Sequence, residues 1–177
     1  CDIRFEEALP FGEDQVFFFD IYPNSRKTAL ISDKLYEYRI EREGSLTSKT
    51  NDDLEAKSRK HLPMTQRIFS AWKKRFGLEK YSSEIVSWSI EFVLYGLLCL
   101  PESVRNELLP EYSRIFREFW GNESTSALQL KKHDRKLLEV ALSGKRVNNA
   151  QAIRLRAGWF LEKYGAKAVA GKVLGMN

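Results

Sequence analysis

Two cysteines and two histidines in 177 residues leave little with which to build a metal or redox centre. Cys1 and Cys99 have neither ligand nor redox spacing, and Cys99 lies in an apolar run where a free thiol acts as a small buried hydrophobe. A reducing cytosol is the simplest compartment for such a chain. His61 and His133 are far apart without zinc-ligand spacing, and both read as surface or helix-flank residues.

Other absences narrow the chemistry further. No Gly-rich phosphate loop occurs, and no Ser, His and Asp arrangement follows from spacing. No Asp-x-Asp is present: Asp52-Asp53 is an adjacent pair that opens a helix. A membrane span needs about 20 uninterrupted apolar residues, and the longest candidate, Ile85 to Leu100, is broken by Ser87, Ser89 and Glu91. The chain opens on Cys rather than Met and shows no charged and apolar leader, so it is expected to be an excised or processed piece. Asn122-Glu123-Ser124 has the form of a glycosylation sequon, yet here it reads as a helix-start turn ending in a Ser cap.

With 43% hydrophobic and 30% charged residues, the chain reads as soluble and globular, long enough for one domain or a domain with an appendage. Residues 1–50 form a mixed part. A helix is expected from Glu13 to Tyr22, a turn at Pro23-Asn24-Ser25, a strand near Lys27 to Ser32 and an extended piece at Leu35 to Arg39. Two short strands do not make a stable sheet alone. They are expected to complete a sheet supplied by other residues, which would leave Phe17, Phe18 and Phe19 as the side chains most open to solvent.

Residues 51–177 are helical throughout. A first helix, capped by Thr50 or Asn51, carries Met64, Ile68, Phe69 and Trp72 to Gly77, with Pro63 expected to kink or split it. A second, from Ser82 or Ser83 to Leu100, is apolar on nearly every side and is expected to be the buried centre. A third runs from Pro101 to Trp120, a fourth from Ser124 or Ser126 to Gly144, and a fifth from Asn148 or Asn149 into a frayed tail beyond Gly165. Short Gly or Pro turns between them suggest a compact bundle.

Charge divides the same way. Residues 1–50 carry 10 acidic against 7 basic side chains, and the remainder 22 basic against 14 acidic. The basic clusters Lys57-Ser58-Arg59-Lys60, Lys73-Lys74-Arg75, Lys131-Lys132 with Arg135-Lys136, and Lys145-Arg146 read either as solvated helix faces or as attraction to an anionic membrane. No nucleic-acid-binding signature accompanies them, so nucleic acid is not an expected partner.

The most distinctive stretch is Phe11-Gly12-Glu13-Asp14, an acidic pair on a Gly turn ahead of Val16, Phe17, Phe18 and Phe19. Adjacent carboxylates at the mouth of an apolar segment are either solvated or held for use, because desolvation costs a charge several kcal/mol. The plain reading is a helix start, where acids meet the positive end of the dipole.

Two blocks give the pair another meaning. Phe11-Gly12-Glu13-Asp14 with Phe17 three residues on, then Leu35-Tyr36-x-Tyr38-Arg39 followed by Gly44-Ser45, with the apolar Thr28 to Ile31 between, resemble the C-terminal part of the catalytic domain in bacterial family 2 glycosyltransferases. The likeness spans Phe5 to Thr47, about the first quarter of the chain. It implies a mainly α chain in which residues 1–50 are a small α/β remnant of a nucleotide-sugar-transferase domain of the GT-A type and residues 51–177 a helical C-terminal domain.

It further implies transfer of a sugar, with inversion, from a nucleotide diphosphate donor to a hydroxyl of a glycan or lipid-linked acceptor. Asp14 matches the position of the catalytic base and Glu13 the neighbouring acid. Arg39 would pair with donor diphosphate oxygens, or, as the plainer alternative, form an ion pair with Glu37, Glu41 or Glu43. The implied divalent cation, Mn or Mg, belongs to the intact enzyme, since its Asp-x-Asp motif is missing here and none is expected in this piece. The implied location is cytoplasmic, peripheral to the inner face of the cell membrane. The competing reading is a non-catalytic helical module for partner or membrane docking.

Overall fold

The computed structural model describes residues 3–5, 7–9, 12–29, 31–34, 53–77, 81–120 and 125–173, with 126 and 167–173 as backbone alone. The chain falls into two compact units, Cys1–Arg75 and Phe76–Asn177. Among the described residues every regular element is a helix, which agrees with a mainly α chain.

In the first unit, helix α1 (Glu13–Ile21) follows a left-handed Gly12 and tightens into a 3-10 turn at Tyr22–Asn24. The expected strand at Lys27 to Ser32 does not form: Lys27, Thr28, Ala29, Ile31 and Ser32 are irregular and exposed. None of the described residues offers that segment a ladder, and a short strand without one is not stable. The extended piece expected at Leu35 to Arg39 lies outside the described residues.

Helix α2 (Leu54–Phe76) begins where Asp53 Oδ1 accepts the Ala56 N–H at 2.8 Å, so the cap sits later than the expected Thr50 or Asn51. Pro63 lies inside this helix without splitting it. Ser58, His61, Met64, Thr65, Ile68, Phe69 and Trp72 recur at three- and four-residue steps and form its buried face. His61, expected at the surface, is 3% exposed. Phe19 of α1 meets Trp72 edge to face with centroids 6.0 Å apart, and Val16 is buried. Phe18 stands 45% exposed as expected, whereas Phe17 is half-buried, stacked on Phe5 at 4.2 Å.

The second unit is built on α3, which starts as an α-helix at Ser82–Ser89, widens to a π-helix at Ile90–Leu94 and closes with Tyr95–Leu97. From Ile85 to Leu98 the buried residues come as adjacent pairs: Ile85 and Val86, Ser89 and Ile90, Val93 and Leu94, Leu97 and Leu98. The pairs repeat every four residues. In a straight helix of 3.6 residues per turn, three such steps would carry the apolar face about 120° around the axis. The π segment places more residues in each turn and so keeps the pairs on one side. The buried centre expected at Ile85 to Leu100 is therefore present, at the cost of regular helix geometry.

Helix α4 (Glu102–Trp120) retains Pro110 internally and buries Leu108, Leu109, Tyr112, Ile115, Phe116, Phe119 and Trp120. Helix α5 (Lys132–Ser143) packs against α4, the π segment and α6 (Asn149–Val173). Its start lies well beyond the expected Ser124 or Ser126. Thr125–Ala127 form a 3-10 turn instead, and Arg135 donates to the carbonyls of Thr125 at 2.6 Å and Leu128 at 2.7 Å, holding that segment out of the helix. At the start of α6, Asn148 Oδ1 accepts the Gln151 N–H at 2.9 Å while Gln151 Oε1 accepts the Asn148 N–H at 3.0 Å, a reciprocal capping box. Gly165 (φ 81, ψ 168) breaks α6 near its end.

Two further arginines hold backbone. Arg105, 1% exposed, donates to the carbonyls of Leu100 at 2.8 Å, Val147 at 3.0 Å and Leu98 at 3.4 Å, and to Asn149 Oδ1 at 2.9 Å. Arg117 donates to Leu142 O at 2.5 Å and Ser143 O at 2.6 Å, satisfying the last carbonyls of α5.

Candidate functional site

The acidic pair sits on a turn that only glycine can make. Gly12 has φ 82, and a Cβ there would overlap the Met64 sulfur of α2, so both backbone conformation and space exclude a side chain. Gly12 O accepts the Val16 N–H at 3.2 Å, and the buried Val16 anchors the turn from below. Glu13 and Asp14 are thereby fixed in the first turn of α1 with both side chains exposed. Asp14 Oδ1 accepts the N–H of Gln15 at 2.7 Å. Of the two states open to such a pair, solvated or held for use, the exposure of both side chains is what the solvated one requires.

Arg39, Phe11, Tyr36, Tyr38, Gly44 and Ser45 lie outside the described residues. Among the described residues no group of three or more His, Cys, Asp or Glu is placed to hold a metal ion.

The second unit contains a polar cleft of about 250 Å³ that sequence spacing did not reveal. Ser87 and Glu91 of α3, Gln129 and Lys131 before α5, Asp134 of α5, and Trp159, Glu162 and Lys163 of α6 line it. Trp159 Nε1 donates to Asp134 Oδ1 at 2.8 Å, and the ring lies tilted by 41° against Tyr95 with centroids 4.5 Å apart. Lys163 pairs with Glu91 and lies 4.9 Å from the centroid of Trp159. Glu162 Oε2 accepts the His133 backbone N–H at 3.0 Å, and its other oxygen is 3.4 Å from His133 Nδ1.

These contacts set the charges. Burial raises the Asp134 pKa, aided by the nearby Glu162 carboxylate and opposed by the Trp159 hydrogen bond and Lys131. Burial also works to raise Glu162, but the hydrogen bonds and charge of His133, with Lys131, outweigh it and the pKa is lowered. Lys163 is raised, because Glu91 outweighs the burial that would lower it. Each acid in the cleft already has a partner, and the arrangement acts as an internally compensated clamp between α3, α5 and α6.

Comparison with known proteins finds no matching family model, curated protein or solved structure.

Proposed function

We propose that this chain is part of an inverting glycosyltransferase of the family 2 type, moving a sugar from a nucleotide diphosphate donor to an acceptor hydroxyl in cell-surface polysaccharide synthesis. The observation that carries the reading is the Gly12 turn, which presents Glu13 and Asp14 to solvent from a position fixed against Met64. A general base must reach the acceptor oxygen and be able to take its proton. In this reading Asp14 removes the acceptor proton as the hydroxyl attacks the anomeric carbon and the bond from that carbon to the departing nucleoside diphosphate breaks, while Glu13 orients the site or contacts the acceptor. Arg39 pairs with the donor diphosphate.

The divalent cation that the resemblance implies finds no ligand set among the described residues. The remnant sheet of a GT-A domain, the lipid-linked or glycan acceptor and a cytoplasmic, membrane-peripheral location belong to the same proposal. The exposed aromatics Phe5, Phe18 and Tyr22 favour a second reading, a non-catalytic docking module, since such rings are enriched where partners bind.

Asp14→Asn in the longest natural form of the protein that carries this chain separates the two. Sugar transfer should fall by about 10²- to 10⁴-fold. Melting temperature should hardly move, because a helix-start acid contributes about 0.3–1 kcal/mol. Near-normal turnover would remove Asp14 from the mechanism, and absence of transfer in the unmutated protein with any uridine or guanosine diphosphate sugar would favour the docking module.

A further inference from the structure

A groove of about 300 Å³ opens in the second unit between the end of α5 and the start of α6. Val140, Val147 and Leu155 form its apolar floor, Ser143 and Gln151 contribute polar atoms, and Lys145, Arg146 and Arg154 supply three positive charges. No carboxylate lines it. The side chains of Lys145, Arg146 and Arg154 are exposed and make no ion pair or hydrogen bond among the described residues. In this respect they differ from Arg105, Arg117 and Arg135, whose guanidinium groups are all committed to backbone carbonyls.

The segment that presents two of these cations is held rigidly. Gly144 turns at φ 61, where a Cβ would lie 2.8 Å from Ser113 Oγ and 3.1 Å from Arg117 Nη2. Ser143 Oγ accepts the Lys145 N–H at 3.2 Å. Val147, 4% exposed, donates its N–H to Asn106 Oδ1 at 2.8 Å, and its carbonyl accepts from Arg105 Nε. The backbone from 143 to 149 is therefore fixed from both sides while its charges face outward unpaired. At the helix start the N–H groups of Asn148 and Gln151 are taken up by their reciprocal box, and that of Asn149 by Glu102, whose Oε2 accepts it at 2.9 Å. The charge that remains available is that of the three side chains.

We infer that this groove is a binding site for a phosphate group, held by Lys145, Arg146 and Arg154, with the apolar floor receiving the nonpolar portion of the molecule that bears it. Unpaired cations around a concavity focus an anion's approach, and guanidinium forks match phosphate oxygens in pairs. The site is independent of the acidic turn and of any transfer activity. A phosphate of this kind is either soluble or carried on a lipid headgroup, and the two sources are separable by experiment.

The test uses the full 177-residue chain. One arm titrates inorganic pyrophosphate by calorimetry; the other measures co-sedimentation with vesicles of phosphatidylglycerol in phosphatidylcholine against phosphatidylcholine alone. Both are repeated on the triple variant Lys145→Gln, Arg146→Gln, Arg154→Gln and on a charge-matched control, Lys73→Gln, Lys74→Gln, Arg75→Gln, at the exposed end of α2. The expected result is saturable binding in at least one arm, weakened about tenfold or more in the groove variant and retained in the control. The arm that binds identifies the source. Because none of the three groove side chains supports a neighbour, the variant should melt at the wild-type temperature. Equal weakening in both variants, or no saturable binding in either arm, would overturn the site.

Discussion

The guanidinium of Arg105 donates through Nε to the carbonyl of Val147, 42 residues further along the chain, at 3.0 Å. The same side chain reaches the carbonyls of Leu98 and Leu100 at the end of α3 and the side chain of Asn149 at the start of α6. No carboxylate stands within ion-pair distance of it among the described residues. The buried charge is instead solvated by carbonyl oxygens, two of them at a helix end that carries partial negative charge.

Removing that side chain would leave several buried acceptors without donors, each costing about 1–3 kcal/mol before relaxation. Arg105→Met, which keeps volume and loses the fork, should therefore lower unfolding free energy by about 3 kcal/mol or more in urea. Arg105→Lys should recover little, because an ammonium is a point charge that does not span four acceptors. A loss under about 1 kcal/mol for Arg105→Met would show that water replaces the guanidinium without penalty.

Gly12 and Met64 provide the second prediction. Gly12→Ala forces a side chain into a left-handed backbone, worth about 1–2 kcal/mol, and against the Met64 sulfur, where overpacking costs about 1–3 kcal/mol. Pairing it with Met64→Ala separates the contributions. The double variant should be more stable than the sum of the single losses predicts, by the overpacking part alone, while the backbone part persists. Strict additivity would mean that Met64 does not confine the turn.

Helix existence was legible because apolar residues at three- and four-residue steps need only local sequence. Asn148 or Asn149, and Glu13 with Asp14, likewise announced helix starts. What escaped depended on distant partners. Arg135 looked like one member of a basic cluster, but its acceptors are the carbonyls of Thr125 and Leu128, and that commitment delays α5. The cleft of Asp134, Trp159 and Lys163 draws on three helices between Ser87 and Lys163, and no spacing rule joins them. The strand expected at Lys27 to Ser32 was a local propensity without a ladder. The π segment was hidden because the stretch is apolar on nearly every side, and only burial shows that the pairs from Ile85 to Leu98 repeat at four rather than 3.6.

His61 carries the last prediction. It lies on the buried face of α2, and burial first, then the charge of Lys57, lowers its pKa from the ordinary 6.5 to about 4. Between those values the unfolded chain takes up a proton that the folded chain refuses. The His61 contribution to stability is thus complete above about pH 6.5 and is lost progressively as pH falls through about 4, on the order of 3 kcal/mol in all. His61→Gln does not titrate, so its unfolding free energy should fall less between about pH 7 and about pH 4.5 than that of the wild type. Other acids titrate in both proteins, and the difference between the two curves isolates this one imidazole. Parallel curves from urea denaturation at the two pH values would show that His61 reaches water when protonated and that its burial does not govern the acid limb.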